Sequence, residues 1–89
     1  MEYALKFEDQ AILDIARLKK SGDKAIIKKL EKLLSEMQEH PRTGTGQVEQ
    51  LKYYGVETWS RRINHEHRIV YRVYDDIVEV LILSAFGHY

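Results

Sequence analysis

The 89-residue chain contains no cysteine, one proline, one tryptophan and five glycines, and its 14 Lys/Arg are matched by 14 Asp/Glu. The absence of cysteine excludes disulfides, a thiolate nucleophile and any Cys-based zinc site, and makes a reducing cytoplasm the expected location. No apolar stretch reaches the roughly 20 residues of a membrane span, and Met1-Glu2-Tyr3 lacks the basic flank and apolar segment of a secretory signal. A soluble protein with no membrane partner is therefore expected. The length suits one domain over residues 1–89 with one small core.

A formal charge of zero argues at first against a polyanionic partner, but the charges are not evenly spread. Residues 1–40 carry eight Lys/Arg and eight Asp/Glu, residues 41–72 six against three, and residues 73–89 none against three. Five of the six cations in the middle segment are arginines (Arg42, Arg61, Arg62, Arg68, Arg72), the sixth being Lys52. Arginine's planar fork suits bidentate contact with phosphate, and a neutral protein can hold a basic groove.

Hydrophobic periodicity predicts β-α-α-β-β-β-β. Residues 2–8 alternate, with Tyr3, Leu5 and Phe7 on one side, as a short strand. A helix follows, capped and charged by Glu8-Asp9, with Ile12, Ile15, Ala16 and Lys19 at helical spacing until Ser21-Gly22. A second helix starts at the N-cap Asp23 and runs to about His40, its stripe being Ile26, Ile27, Leu30, Leu33, Leu34 and Met37. Pro41 ends it. After the loop Arg42–Gln47 the period becomes alternating. Strands are expected at Val48–Lys52, Thr58–Asn64, His67–Tyr74 and Ile77–Ser84, with hairpin turns at 64–66 and 75–76. The fold class is α+β: two N-terminal helices on one face of a twisted, mainly antiparallel sheet, the other face open to a ligand.

Strand parity sorts the polar residues. Arg68, Val70, Arg72 and Tyr74 share one face, with His67, Ile69, Tyr71 and Val73 opposite. Ser60 and Arg62 share a face, with Trp59, Arg61 and Ile63 opposite. Spacing leaves two roles open for an arginine in the Ile69-Val70-Tyr71 frame: an ion pair with Glu49 or Glu66, or a ligand contact. Alone, Glu49 reads as a solvated surface residue. Glu49, Lys52, Arg62, Arg68, His88 and Tyr89 together form the inventory of metal-free RNA cleavage: a base for the 2′-hydroxyl, cations for the crowded phosphate and an acid for the leaving 5′-oxygen. His88 and Tyr89 also follow a strongly apolar run, where a plain polar tail would suffice.

Other motifs are weaker. Gly44-Thr45-Gly46 is too short for a phosphate-binding fingerprint and reads as a flexible loop. His65 and His67 lack a third ligand at metal-binding spacing, so no metal or other cofactor is expected. His40 reads as a helix C-cap, Trp59 and Tyr71 as core or interface aromatics, and Tyr53 and Tyr54 as either core or base-stacking groups.

The blocks Gly44-Thr45-Gly46-Gln47-Val48-Glu49-Gln50-Leu51-Lys52, Trp59-Ser60-Arg61-Arg62-Ile63 and Glu66-His67-Arg68-Ile69-Val70-Tyr71, with the final His88-Tyr89, resemble the YoeB/Txe toxins of bacterial toxin–antitoxin modules, within the RelE superfamily. The resemblance implies a RelE-like fold and a ribosome-dependent mRNA endonuclease. Such an enzyme cuts message in the A site of the 70S ribosome and is neutralised by a YefM-like antitoxin of the Phd/YefM family. It further implies Glu49 as general base, Arg68 as transition-state stabiliser, His88 as general acid and Tyr89 as a stacking and orienting residue. Lys52 and Arg62 become phosphate contacts, with Arg61 counted beside them as RNA-binding. Val48 stands where members of the family often have proline, whose ring would stiffen the approach to Glu49.

Two other readings compete with the enzyme. One is a catalytically weak binding module that acts as antitoxin partner and co-repressor, reaching operator DNA only through the antitoxin. The other makes the arginines and Tyr89 contacts of a homodimer.

Overall fold

The computed structural model describes residues 2–52 and 54–87; the expectations placed on Tyr53, His88 and Tyr89 lie outside the described residues. The elements are β1 (Ala4–Phe7), α1 (Asp9–Lys20), α2 (Lys24–Glu39), β2 (Glu49–Leu51), β3 (Thr58–Arg62), β4 (Arg68–Tyr74) and β5 (Glu79–Ser84). They form one five-stranded sheet in the order β1-β5-β4-β3-β2. The β2–β3, β3–β4 and β4–β5 pairs are antiparallel, as expected for hairpins, whereas β1 runs parallel to β5, from Ala4 opposite Glu79 to Phe7 opposite Ile82.

Both helices pack on one face. The core joins Leu30, Leu33 and Met37 of α2 and Ala11 and Leu18 of α1 to Ile69, Tyr71, Val73, Val80 and Ile82 of the sheet, with Ile26 and Leu34 packed against it. Full burial of one such leucine contributes about 1.5–3 kcal/mol. Asp23 caps α2 as its sequence predicts, Oδ1 accepting from the amides of Ala25 at 3.0 Å and Ile26 at 3.2 Å.

Helix α1 departs from expectation in two ways. Glu8 is its N-cap but makes no side-chain cap bond. The residues it buries are Ala11, Asp14 and Leu18, while Ile12 is 55% exposed and Ala16 and Lys19 face solvent. An acid occupies a core-facing position because Asp14 Oδ2 accepts the amide of Ala85 at 3.0 Å and Oδ1 accepts from Gln10 at 2.8 Å. An apolar-periodicity count is blind to a buried carboxylate that has partners.

The final strand also begins later than its apolar run. Ile77 is 57% exposed and Val78 has a φ of +53°, so the connection from β4 occupies 75–78, closed by the Val78 amide donating to Asp75 O at 3.2 Å. The turn needs a left-handed residue before the strand can start, and here a β-branched side chain fills a position that sterics disfavour.

Candidate active site

The loop between α2 and β2 is anchored from beneath the sheet. Arg61 is fully buried on the helix-covered face of β3. Its Nη1 pairs with Glu36 Oε1 at 3.2 Å, its Nε donates to the Tyr71 hydroxyl at 3.1 Å, and its Nη2 donates to the carbonyls of Thr43 at 2.7 Å and of His40. Tyr71 in turn donates to Pro41 O at 2.7 Å, and Glu36 accepts both the amide and the hydroxyl of Thr45 at 2.8 Å. Burial raises the Tyr71 phenol above its usual range. The Glu36 carboxyl is held below the usual carboxylate range, chiefly by the Thr45 amide, with the Thr45 hydroxyl and Arg61 adding to it.

Two expectations are thereby corrected. Arg61 is not available to RNA, because strand parity turns it inward and its donors serve the chain's own acceptors. Gly44-Thr45-Gly46 is a pinned turn. Gly46 has a φ of +98°, its carbonyl accepts the Arg62 amide at 2.5 Å, and a Cβ there would lie 2.9 Å from Arg62 O. Only glycine fits so close a backbone approach. The pinned turn delivers Glu49 to the start of β2.

The opposite, helix-free face carries the charge. Directly opposed residues share a face, so the register places Glu49 beside Ser60, Ser60 beside Val70, Arg62 beside Arg68, and Thr58 beside Arg72. Glu49 is exposed, Lys52 is exposed just beyond β2, and Arg62, Arg68 and Arg72 are half-buried. Two arginines directly opposite one another lower sheet stability by repulsion, an arrangement suited to an incoming anion. Among the described residues Lys52, Arg62 and Arg72 enter no ion pair. The Nε atoms of Arg62 and Arg72 and the Ser60 hydroxyl are buried without a hydrogen-bond partner among the described residues. Ser60 and Arg72 were absent from the site read in the sequence, although their shared parity with Arg62 and Arg68 was the signal for them.

The segment after β5 is fixed beside Arg68. The Arg68 amide donates to Gly87 O at 3.1 Å, and the Gly87 amide donates to His67 Nδ1 at 2.9 Å. Phe86 lies against the His67 ring at 4.4 Å, with the Arg17 guanidinium 3.8 Å above its own ring. His67 is thus a nearly buried acceptor in the packing of the final segment. Among the described residues no three His, Asp or Glu side chains gather as a metal-binding group. The backbone at Gly87 is therefore held next to Arg68, on the sheet that presents Glu49 and Arg62.

Arg42 serves a different structure at the far end of β4. It binds Glu57 through Nε at 2.6 Å and Asp75 through Nη2 at 2.8 Å, while Tyr3 donates to Asp75 at 2.7 Å and Trp59 to Glu57 at 2.7 Å. Arg42 thereby holds the Glu57 carboxyl below the usual range, and its own pKa is raised, by Glu57 first and then Asp75.

Solved structures that share this fold include toxins of bacterial toxin–antitoxin systems. The "YoeB dimer from Staphylococcus aureus" superposes with a TM-score of 0.82 at 35% identity, covering 100% of both chains, and a "YoeB-YefM complex" from the same organism gives 0.79 at 34% with the same coverage. Residues 7–89 match the family described as "YoeB-like toxin of bacterial type II toxin-antitoxin system". Toxin YoeB of Escherichia coli strain K12 is 43% identical over 67 residues, 75% of this chain and 77% of that toxin. The chain belongs to the YoeB-like toxin family. No helix among the described residues is long and apolar enough to cross a membrane.

Proposed function

We propose that residues 1–89 act as one cytoplasmic endoribonuclease domain that cuts mRNA in the ribosomal A site and is held inactive by a YefM-like antitoxin. The observation that carries this reading is the helix-free face that Glu49, Arg62 and Arg68 share across three adjacent strands. Glu49 removes the proton from a 2′-hydroxyl, whose oxygen attacks the adjacent phosphorus. Arg68 neutralises the charge gathering on the phosphoryl oxygens, while Arg62 and Lys52 hold the flanking backbone. His88 protonates the departing 5′-oxygen and Tyr89 stacks on a base. The products are a 2′,3′-cyclic phosphate and a 5′-hydroxyl, and each step has a donor or acceptor in this chain.

The antitoxin reading is supported by the solved YoeB–YefM complex of the Staphylococcus relative, and a homodimer by the solved YoeB dimer. An acidic, apolar antitoxin segment folding across the arginine face would block substrate, and its binding would weaken with salt.

The test is message cleavage with and without ribosomes, with end mapping. Ribosome-dependent cuts with 5′-hydroxyl ends, resistant to chelation that leaves ribosomes intact, are expected. Glu49→Gln, or removal of His88 and Tyr89, should lower the rate by about 10²–10⁴-fold. Wild-type cleavage by either variant, or 5′-phosphate ends, would refute the mechanism.

A further inference from the structure

Arg72 is the arginine that neither the scaffold nor the reaction uses. Arg42 binds two carboxylates, Arg61 is saturated by internal acceptors, Arg17 lies over Phe86, and Arg68 and Arg62, opposite one another in the sheet, are the two arginines already assigned to the reacting phosphate and the flanking backbone in the proposed reaction. Arg72 projects from the helix-free face of β4, opposite Thr58 on β3 and Leu81 on β5. It is half-buried, and its Nε is shielded from solvent without a hydrogen-bond partner among the described residues. Among the described residues, the neighbouring groups supply this Nε with no acceptor. Thr58 is fully buried with its hydroxyl donated to Val56 O at 2.8 Å, Val70 is buried, and Leu81 is half-buried. Glu79 stands diagonally away, opposite Tyr74, and forms no ion pair with Arg72. A buried guanidinium Nε without an acceptor is unfavourable until an anion arrives, and the partly sheltered setting strengthens the contact once made.

We propose that Arg72 is an additional backbone-phosphate contact for single-stranded RNA. It continues the cationic line of Arg68 along the same face, four residues or about 13 Å further on. The proposal rests on the reading of this face as the one that handles message. Continuity with Arg68 on one strand favours a polyanion lying along the sheet, and the fork geometry favours paired phosphoryl oxygens.

The experiment measures binding of a fluorescent single-stranded RNA, with a 2′-deoxy sugar at the cleavage position, to the Glu49→Gln protein across a salt series. Adding Arg72→Ala should weaken binding several-fold and reduce the slope of log K against log[salt] by about 0.7, the value for one lost single-strand phosphate contact. Arg72→Lys should keep the slope, and both variants should unfold at the same urea concentration as their parent. An unchanged slope with Arg72→Ala, or no RNA binding by the parent, overturns the proposal. So does loss of poly-glutamate binding with RNA binding intact, which assigns Arg72 to an acidic protein partner. Cleavage by Glu49→Gln alone would instead refute the parent mechanism, and the salt slope would still decide Arg72.

Discussion

Arg61 and Arg62 are neighbours in the chain and opposites in the molecule. Alternation along β3 sends Arg61 under the helices, where it finds a carboxylate, a phenol and loop carbonyls, and sends Arg62 to the open face, where its Nε has no partner among the described residues. Residue type, local charge and sequence context are the same for both. What separates scaffold from site is whether the folded chain satisfies the side chain's donors. A saturated arginine holds structure, while a sheltered, unsaturated one is prepared for a ligand that comes from outside.

The largest effect that tests this contrast is on stability. Arg61→Ala removes a buried charge and leaves Glu36 and several loop carbonyls facing a void, so a loss of about 3–5 kcal/mol is expected, measured by urea unfolding. Loss of only a few tenths would mean that the network beneath the loop is not a scaffold. Next comes the reciprocal substitution. Arg62→Ala should leave stability within about 0.5 kcal/mol of the parent, since it breaks no ion pair among the described residues, yet lower message cleavage by about 10²-fold. If Arg62→Ala unfolds easily while its residual activity per folded molecule is normal, the two arginines have the same role and the contrast fails.

The sequence reveals much of this architecture because its strongest signals are local. The α2 stripe, the Asp23 cap, the stop at Pro41 and the parity of β3 and β4 depend on spacing alone, and the observed elements follow them. What escaped depends on contacts between distant segments. Arg61 is grouped with Arg62 by composition, and only the meeting of α2, the glycine turn and Tyr71 withdraws it from solvent. Asp14 looks like a surface acid until the Ala85 amide reaches it. Ile77 and Val78 read as strand because apolarity carries no information about a left-handed turn. At the candidate site, Glu49, Lys52, Arg62 and Arg68 are legible from residue type and a family resemblance. Parity places Ser60 with Arg62 and Arg72 with Arg68, but only the cross-strand register shows that the two pairs share one face with Glu49.

A third, smaller effect concerns acid. Glu36 has a folded-state pKa below its unfolded value of about 4.5, because the ionised carboxylate accepts the Thr45 amide, then its hydroxyl, and faces Arg61. A depressed carboxyl stabilises the fold fully above the unfolded pKa, and that contribution disappears as pH falls through the lower folded value. Glu57 and Asp75 shift the same way, the first through Arg42 and the second through Tyr3, so acid weakens both networks. Comparing wild type with Glu36→Gln isolates one of them. The stability advantage of wild type should be constant from neutrality to about pH 6 and should narrow progressively below about pH 4.5. An advantage that persists undiminished into strong acid would show that Glu36 contributes through packing rather than charge.

The smallest effect is the sharpest probe of the open face. Ser60 is fully buried, stands between Glu49 and Val70 in the register, and has no partner for its hydroxyl among the described residues. If the hydroxyl were part of the scaffold, its removal would cost the roughly 1 kcal/mol of a typical internal hydrogen bond. With no internal bond to lose, Ser60→Ala should leave stability unchanged or raise it by up to about 1 kcal/mol, since a buried unpaired hydroxyl is itself a liability. A liability kept beside the proposed base suggests use, so the same variant should lower the cleavage rate several-fold while unfolding no earlier in urea. Both measurements are needed. A stable variant with normal cleavage would remove Ser60 from the site, and a destabilised one would show that the open face holds internal bonds of its own, erasing the distinction that Arg61 and Arg62 draw.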